Sequence, residues 1–301
     1  MKKAVIEIGT NTTRMLIAEM KDDEIEVIDK RLITTRLGEG VDSSRHLKEV
    51  AMKRGLDSLR EFKSEIDSHN IKGARVIGTS ALRDVRNGKV FIKRVKKQLG
   101  YNLEIISGEK EAELIFKGVT QSLDFNDYII IDIGGGSTEF IWKNREDDQI
   151  NMRSIDIGAV RLTERFIEKR ENSVGRNIID DISTYVEEIL DHEINILPGI
   201  NNLIGVGGTI TTMASIMLKL ENYNSDAIHN YILKYSDVNK VMNILRKLTL
   251  IKRKNVKGLN PARADIIVPG IIILLETMKY LRNLQLRISD YDILHGLIVE
   301  S

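Results

Sequence analysis

One stretch of sequence occurs twice in this chain and restricts its fold more than any other feature: an apolar strand ending on a carboxylate, a turn of glycine and hydroxyl residues, and a second strand. The first copy is Glu7-Ile8-Gly9-Thr10-Asn11-Thr12-Thr13-Arg14, fed by apolar residues 4–8. The second is Asp132-Ile133-Gly134-Gly135-Gly136-Ser137-Thr138-Glu139, fed by residues 128–133. Glycine permits both the tight turn and the close approach of an anion to the backbone. Amides of such a turn converge on phosphate oxygens, the hydroxyls of Thr10, Thr12, Ser137 and Thr138 add donors, and the preceding acid suits a hydrated cation. One such hairpin alone is an ordinary turn. Two that repeat both the acid and the hydroxyl cluster predict a duplicated clamp for phosphate and metal.

The order of elements around the two copies repeats as well. The first pass reads as strands at 4–8, 14–20 and 24–31, with Lys21-Asp22-Asp23 turning between the last two. A helix is predicted over 46–68, where Leu47, Val50, Leu56, Leu59, Phe62 and Ile66 recur at helical spacing. A strand at 75–78, a basic amphipathic helix at 89–99, a strand at 103–106 and a helix at 109–121 complete it. The second pass runs through strands at 128–133, 139–142 and 151–156, helices at 161–168 and 177–192, a strand at 202–206 and a helix from Thr209. The remainder reads as a long helical tail in which 263–281, apolar on most sides, is a buried helix. A repeat of this length favours two domains over one, with the boundary in 122–126. Only three prolines occur in the chain, which argues against a flexible linker.

Composition removes several function classes. The 301 residues carry 45 Lys and Arg against 44 Asp and Glu, a net charge of +1, so nothing drives the whole chain toward nucleic acid or an anionic membrane, and a polyanion site has to be local. The absence of cysteine excludes disulfides, thiolate nucleophiles and cysteine-based zinc sites. The five histidines lack the His-Glu-x-x-His spacing of a zinc hydrolase. No apolar stretch has the length of a membrane span, and the start Met-Lys-Lys-Ala-Val-Ile-Glu has too short an apolar core for a signal peptide, so a cytoplasmic protein is expected.

Three further constellations bear on chemistry. Ser107-Gly108-Glu109-Lys110-Glu111-Ala112-Glu113 ends a strand and opens a helix, so its acids serve either as a general base or as partners of the helix dipole. Gly205-Val206-Gly207-Gly208-Thr209 leads a strand into a helix, where free amides suit anionic oxygens and where close strand–helix packing also asks for glycine. It satisfies neither the P-loop nor the dinucleotide fingerprint. Arg83 and Arg86 follow a strand with the geometry to fork onto phosphate oxygens. Beside them, Lys89, Lys93, Arg94, Lys96 and Lys97 read as a solvated face that would also suit a long polyanion. Arg246, Lys247, Lys252, Arg253, Lys254 and Lys257 read as loop solubility.

In order along the chain these motifs resemble the exopolyphosphatase and guanosine pentaphosphate phosphohydrolase family of the actin, sugar-kinase and Hsp70 superfamily. The likeness spans nearly the whole chain. It includes Ile8-Gly9-Thr10-Asn11, Thr79-Ser80-Ala81-Leu82-Arg83, Ile106-Ser107-Gly108 with Glu111-Ala112, the 132–139 hairpin, Gly158-Ala159-Val160-Arg161-Leu162-Thr163-Glu164, Gly207-Gly208-Thr209 and Pro261-x-Arg263-Ala264-Asp265. The resemblance implies an α/β protein of two actin-like (ribonuclease H-like) domains, 1–123 plus 290–301 and 124–289, with an interdomain active-site cleft and a last helix that crosses back to the first domain. It implies a short, two-domain form, a homodimer, and Mg²⁺-dependent hydrolysis of a terminal phosphoanhydride in inorganic polyphosphate or a guanosine polyphosphate. By position Glu111 matches the catalytic glutamate that orients or deprotonates water. Asp132 and Glu139, with Glu7, match carboxylates around metal and water. Thr10, Asn11 and Thr12, Gly134, Gly135, Gly136, Ser137 and Thr138, Gly207, Gly208 and Thr209, and Arg83 match phosphate contacts.

The chain departs from the family pattern in places. Glu7 stands where Asp is usual, Asp292, Leu294 and His295 stand where Gly, Arg and Glu are usual, and Lys110 replaces an acid beside Glu111. Polyphosphate hydrolysis is therefore set beside three alternatives: removal of the terminal phosphate of guanosine pentaphosphate, a nucleotide-dependent kinase or actin-like binding module, and a regulatory binder of polyphosphate or guanosine alarmones.

Overall fold

The computed structural model describes residues 1–123, 128–143, 149–194 and 202–301, and the chain divides into two compact units, Met1–Asp124 with Tyr291–Ser301 and Phe125–Asp290. The first unit opens with a meander of β1 (Lys2–Ile8), β2 (Thr12–Lys21) and β3 (Glu24–Thr34). Asp22 and Asp23 both take positive φ, 50° and 65°, the backbone that a two-residue hairpin turn between right-twisted strands requires. A short α1 (Val41–Ser44) and a long α2 (Glu49–Ser68) follow, then β4 (Arg75–Gly78), α3 (Ser80–Arg83), α4 (Gly88–Leu99), β5 (Leu103–Ile105) and α5 (Gly108–Thr120). The sheet order is β3-β2-β1-β4-β5. Strands β1, β4 and β5 run parallel, so their carboxyl ends share one edge of the sheet. Ile6, Ile8, Met15 and Ile17 from the strands close a core with Leu59, Phe62, Phe91 and Val95 from α2 and α4.

The second unit repeats this plan with β6 (Tyr128–Ile133), β7 (Thr138–Lys143), β8 (Ile150–Ile155), α6 (Ala159–Phe166), α7 (Arg176–Glu193), β9 (Asn202–Val206) and α8 (Gly208–Met217). There follow α9 (Ser225–Ile228), β10 (Ile232–Lys234), α10 (Tyr235–Leu245), α11 (Leu250–Lys254), α12 (Ile267–Tyr280) and β11 (Gln285–Ile288). Its sheet order is β10-β11-β9-β6-β7-β8. Read from β8 to β11 this is the order of the first sheet, with β10 added on the edge. The last helix, α13 (Ile293–Glu300), belongs to the first unit and packs on α5. Gly118 and Gly296 face the backbone carbonyls of Asp292 and Leu114, leaving no room for a side chain at either position.

Three expectations are corrected. The tail after α8 is not all helical, because β10 and β11 pair with each other and β11 with β9; strands of three and four residues carry too little alternation to be read. The helix expected over 263–281 begins only at Ile267, after a 3₁₀ turn at Pro261–Arg263. Pro269 lacks an amide hydrogen and crowds the carbonyl four residues back, so it is tolerated only in a first turn. Arg246 and Arg253 are buried and do not serve loop solubility. Arg253 donates to the carbonyls of Leu248, Ala264 and Asn172, the last two at 2.8 and 2.9 Å, and burial pulls its guanidinium below the usual arginine range, against the opposing charge of Asp265. Of the boundary expected in 122–126, residues 124–126 lie outside the described residues. Among the described residues, no helix is long and apolar enough to cross a membrane.

Candidate active site

In the first unit three loops leave the carboxyl edge shared by β1, β4 and β5, the place where open α/β sheets collect ligands. The Thr79 amide donates to Ile8 O (3.2 Å) and the Ile106 amide to Gly78 O (3.2 Å), which holds the three strand ends side by side. After β1, the Gly9 amide closes the turn on Thr12 O (2.9 Å), while the carbonyls of Thr10 and Asn11 accept from the amides of Gly38 and Arg36 at 2.9 Å each. The hydroxyls of Thr10 and Ser80 are 2.9 Å apart, joining this turn to α3. Asn11 is buried, and among the described residues neither its amide nitrogen nor its oxygen has a partner. After β5, Ser107 caps α5 by accepting from the Lys110 amide (3.2 Å), which fixes the first turn that carries Glu111. Arg83 at the end of α3 donates through Nη1 to Glu111 Oε2 (3.1 Å) and Ile106 O (3.3 Å). Glu111 is buried, so this guanidinium offsets the cost of keeping it charged.

Glu7 is the direct cross-strand partner of Arg14. Arg14 Nε donates to Glu7 Oε2 (2.6 Å) and Nη1 to Asp292 Oδ2, so one guanidinium holds two buried carboxylates. Asp292 also accepts from the Leu294 amide (3.0 Å), and His295 Nδ1 accepts from the Asp292 amide, completing a capping box at the start of α13. Burial raises the Asp292 carboxyl, but Arg14 and His295 outweigh it and hold the group well below the usual carboxylate range. The Asp292 and His295 departures thus form one buried device around Arg14. The Glu7 carboxylate, expected at a metal, is engaged by an arginine.

The second unit places its hairpin at the equivalent point of its own sheet, with a different outcome. Asp132 pairs in register with Glu139, so two acids stand opposite one another on the hairpin. Glu139 is buried and its Oε1 accepts from Ser137 Oγ (2.6 Å) and Ser154 Oγ (2.8 Å). The start of α6 grips the turn from behind: the amides of Ala159 and Val160 donate to the carbonyls of Gly134 and Gly135 at 3.0 and 2.8 Å, and Arg161 Nε donates to Gly136 O (2.7 Å). Gly158 lies against the Gly135 and Gly136 backbone with no room for a Cβ. Among the described residues, no carbonyl accepts from the amides of Gly135, Gly136 or Ser137, which makes these the candidate donors of the turn. Thr138 is not among them, since its hydroxyl donates to Ile157 O (2.7 Å). Gly207, at φ 88° and ψ 166°, caps α8. The Asp132 side chain occupies the space a Cβ on Gly207 would take, and the Arg263 guanidinium lies likewise across Gly208.

The model of the Ppx/GppA phosphatase family matches residues 16–301. The chain belongs to that family. Among its family relatives, the bifunctional 3-dehydroquinate synthase/phosphatase of Fusobacterium nucleatum is 39% identical over 99% of this chain, which spans 46% of that protein's length. Exopolyphosphatase 2 of Mycobacterium tuberculosis is 31% identical, covering 98% of this chain and 96% of its own length. The crystal structure of an exopolyphosphatase from Cytophaga hutchinsonii is 31% identical, with a TM-score of 0.88 over 99% of this chain and 97% of that one. The chain thus has the actin-like α/β fold of this family.

In this Ppx/GppA chain the first unit brings together Thr10, Asn11, Arg83 and Glu111 around one sheet edge, and the second gathers Asp132, Glu139, the 134–138 turn and Gly207 around another. The sequence singles out no role for Ser80, Ser154 and Arg161, which brace the loops, nor for Arg14 and Arg263. Arg14 was legible in principle, since a turn closed between Gly9 and Thr12 puts residue 14 opposite residue 7. The oxygen-only set of Asp132 and Glu139 fits a hard cation such as Mg²⁺, which binds through one or two carboxylates and retains waters. Among the described residues, one group of three acids or histidines has metal-like spacing, Asp29, Glu65 and His69, but Arg31 pairs with both of its carboxylates at 2.7 and 2.8 Å.

Proposed function

We propose that this member of the Ppx/GppA phosphatase family releases terminal orthophosphate from inorganic polyphosphate, with Glu111 as general base and Mg²⁺ held by Asp132 and Glu139. The observation that carries the reading is the difference between two equivalent hairpins: one register position pairs Glu7 with Arg14, the other pairs Asp132 with Glu139. Two acids at paired register positions suit a hard cation; Glu7 has an arginine at that position and is joined to it, so it is left out of the metal set. Bound Mg²⁺ would neutralise charge on the phosphoryl oxygens.

The other groups follow from their contacts. The amides of Gly135, Gly136 and Ser137 would donate to phosphate oxygens. The Asn11 carboxamide, buried without a partner, gains one when a phosphate oxygen arrives, which removes the cost of an unpaired polar group. Arg83 holds Glu111 through Oε2, and Glu111 would take the proton of an attacking water. Little covalent chemistry is asked of the protein; positioning and electrostatics suffice for phosphoryl transfer.

The test measures orthophosphate release from long-chain polyphosphate, tripolyphosphate and guanosine pentaphosphate in parallel, for the wild type and Glu111→Gln. Release from polyphosphate that falls at least a hundredfold in the variant, with binding retained, supports the assignment. A preference for the nucleotide moves the substrate to the guanosine class, and undiminished turnover in the variant removes Glu111 from its role.

A further inference from the structure

Helix α4 carries Lys89, Lys93, Arg94, Lys96 and Lys97 and no carboxylate in its 12 residues, in a chain whose net charge is only +1. Phe91, Val95 and Leu99 bury one side of it, and the four lysines are exposed on the other. Several other cations of this unit have partners, as in Lys21–Glu26, Arg60–Asp57 and Lys63–Asp67, and on the helix itself Arg94 pairs with Glu49. Among the described residues, Arg45, Arg86, Lys89, Lys93 and Lys97 make no ion pair.

These five are one continuous surface. Lys89, Lys93 and Lys97 recur every fourth residue on one helix stripe, about 6 Å per step. Asn87 exchanges two hydrogen bonds with the Leu47 backbone, at 2.8 and 2.9 Å, and the Arg86 amide donates to Arg45 O (2.9 Å), which fixes Arg45 beside the start of the helix. Arg83, three residues before Arg86, is the arginine that contacts Glu111. Left to itself the stripe is unfavourable: like charges four apart repel, and Lys89 stands in a first turn that has no acid to answer the helix dipole. A chain of phosphates laid along it turns each repulsion into an attraction and releases counterions.

We propose that Arg45, Arg86, Lys89, Lys93 and Lys97 form a track that holds the distal phosphates of a long inorganic polyphosphate, leading away from Arg83 and Glu111. The track rests on the polyphosphatase reading above, and its test separates the two. Lys89→Gln/Lys93→Gln/Lys97→Gln keeps helix propensity and touches no residue of the active site. Steady-state kinetics on long-chain polyphosphate should show KM raised at least tenfold with a flatter dependence on salt, while kcat and KM for tripolyphosphate stay within twofold of wild type. Unchanged long-chain KM overturns the track and leaves the hydrolase reading standing. If the wild type releases phosphate from neither substrate, the hydrolase reading fails. Filter binding of long-chain polyphosphate then decides the track, a tenfold loss in the triple variant supporting it and equal binding overturning it. Single-stranded RNA that competes as well as polyphosphate of equal charge would assign the surface to nucleic acid and also overturn it.

Discussion

Replacing Gly207 by alanine tests how Asp132 is held. Gly207 sits at φ 88° and ψ 166°, a region that residues with a Cβ occupy at a cost of about 1–3 kcal/mol. At about 2–4 °C per kcal/mol for a domain of this size, melting of the second unit should fall by roughly 2–12 °C. The new methyl would also overlap Asp132 Oδ1, which must retreat by about 1 Å to ordinary contact distance. A displacement of that size at a reacting centre costs about 10²-fold in rate. Calorimetry and phosphate release at saturating Mg²⁺ are the assays, with Asp132→Asn as a variant that removes the charge without the strain. Gly207→Ala that melts as the wild type does and keeps its turnover would refute both the strain and the placement of Asp132 at the centre of the chemistry.

Other substitutions probe separate parts. Asn11→Leu removes a buried amide with no partner, so the ligand-free protein should hold its stability or gain up to about 1–3 kcal/mol while losing the thermal shift that added phosphate gives the wild type; a destabilised variant that still responds to phosphate would contradict this. Gly296→Ala would push a methyl into the Leu114 carbonyl where α13 crosses α5, and urea unfolding should show a loss of about 1–3 kcal/mol from overpacking in spite of alanine's better helix propensity, whereas a gain in stability would show the two helices are free to part. Glu300 is held down to about 2 by its hydrogen bond from Lys110, against burial, with Arg75 and Lys117 helping. Because its folded value lies below the ordinary 4.5, its stabilisation is full above about pH 4.5 and is lost as the pH falls toward 2. The gap in urea midpoint between the wild type and Glu300→Gln should therefore narrow below pH 4.5, and a constant gap would remove Glu300 from this role.

Much of the fold could be read because it is periodic and repeated. Strand β9 was expected at its observed limits, α2, α4 and α5 came within a few residues, and the Asp22-Asp23 turn followed from two residues that tolerate positive φ. The short strands β10 and β11 stayed hidden because pairing partners far along the chain stabilise them. At the site, the loops around Thr10, Glu111 and 134–138 were legible as motifs. The engagement of Glu7 was not read, although its partner lies on the same hairpin, and the Asp292 contact to Arg14 spans 278 residues, beyond any local pattern. Arg253 shows the limit of composition: of the basic residues between 246 and 257 two are buried, and nothing but the fold distinguishes the one that satisfies three carbonyls.

Hydrolysis of a terminal phosphoanhydride by activated water is tested most directly in H₂¹⁸O, by following polyphosphate turnover and weighing the products by mass spectrometry. Attack of water on the terminal phosphorus predicts one ¹⁸O in each released orthophosphate and none in the shortened chain, with the signal lost in Glu111→Gln. Label in the shortened chain, or orthophosphate delivered to an acceptor other than water, would contradict it.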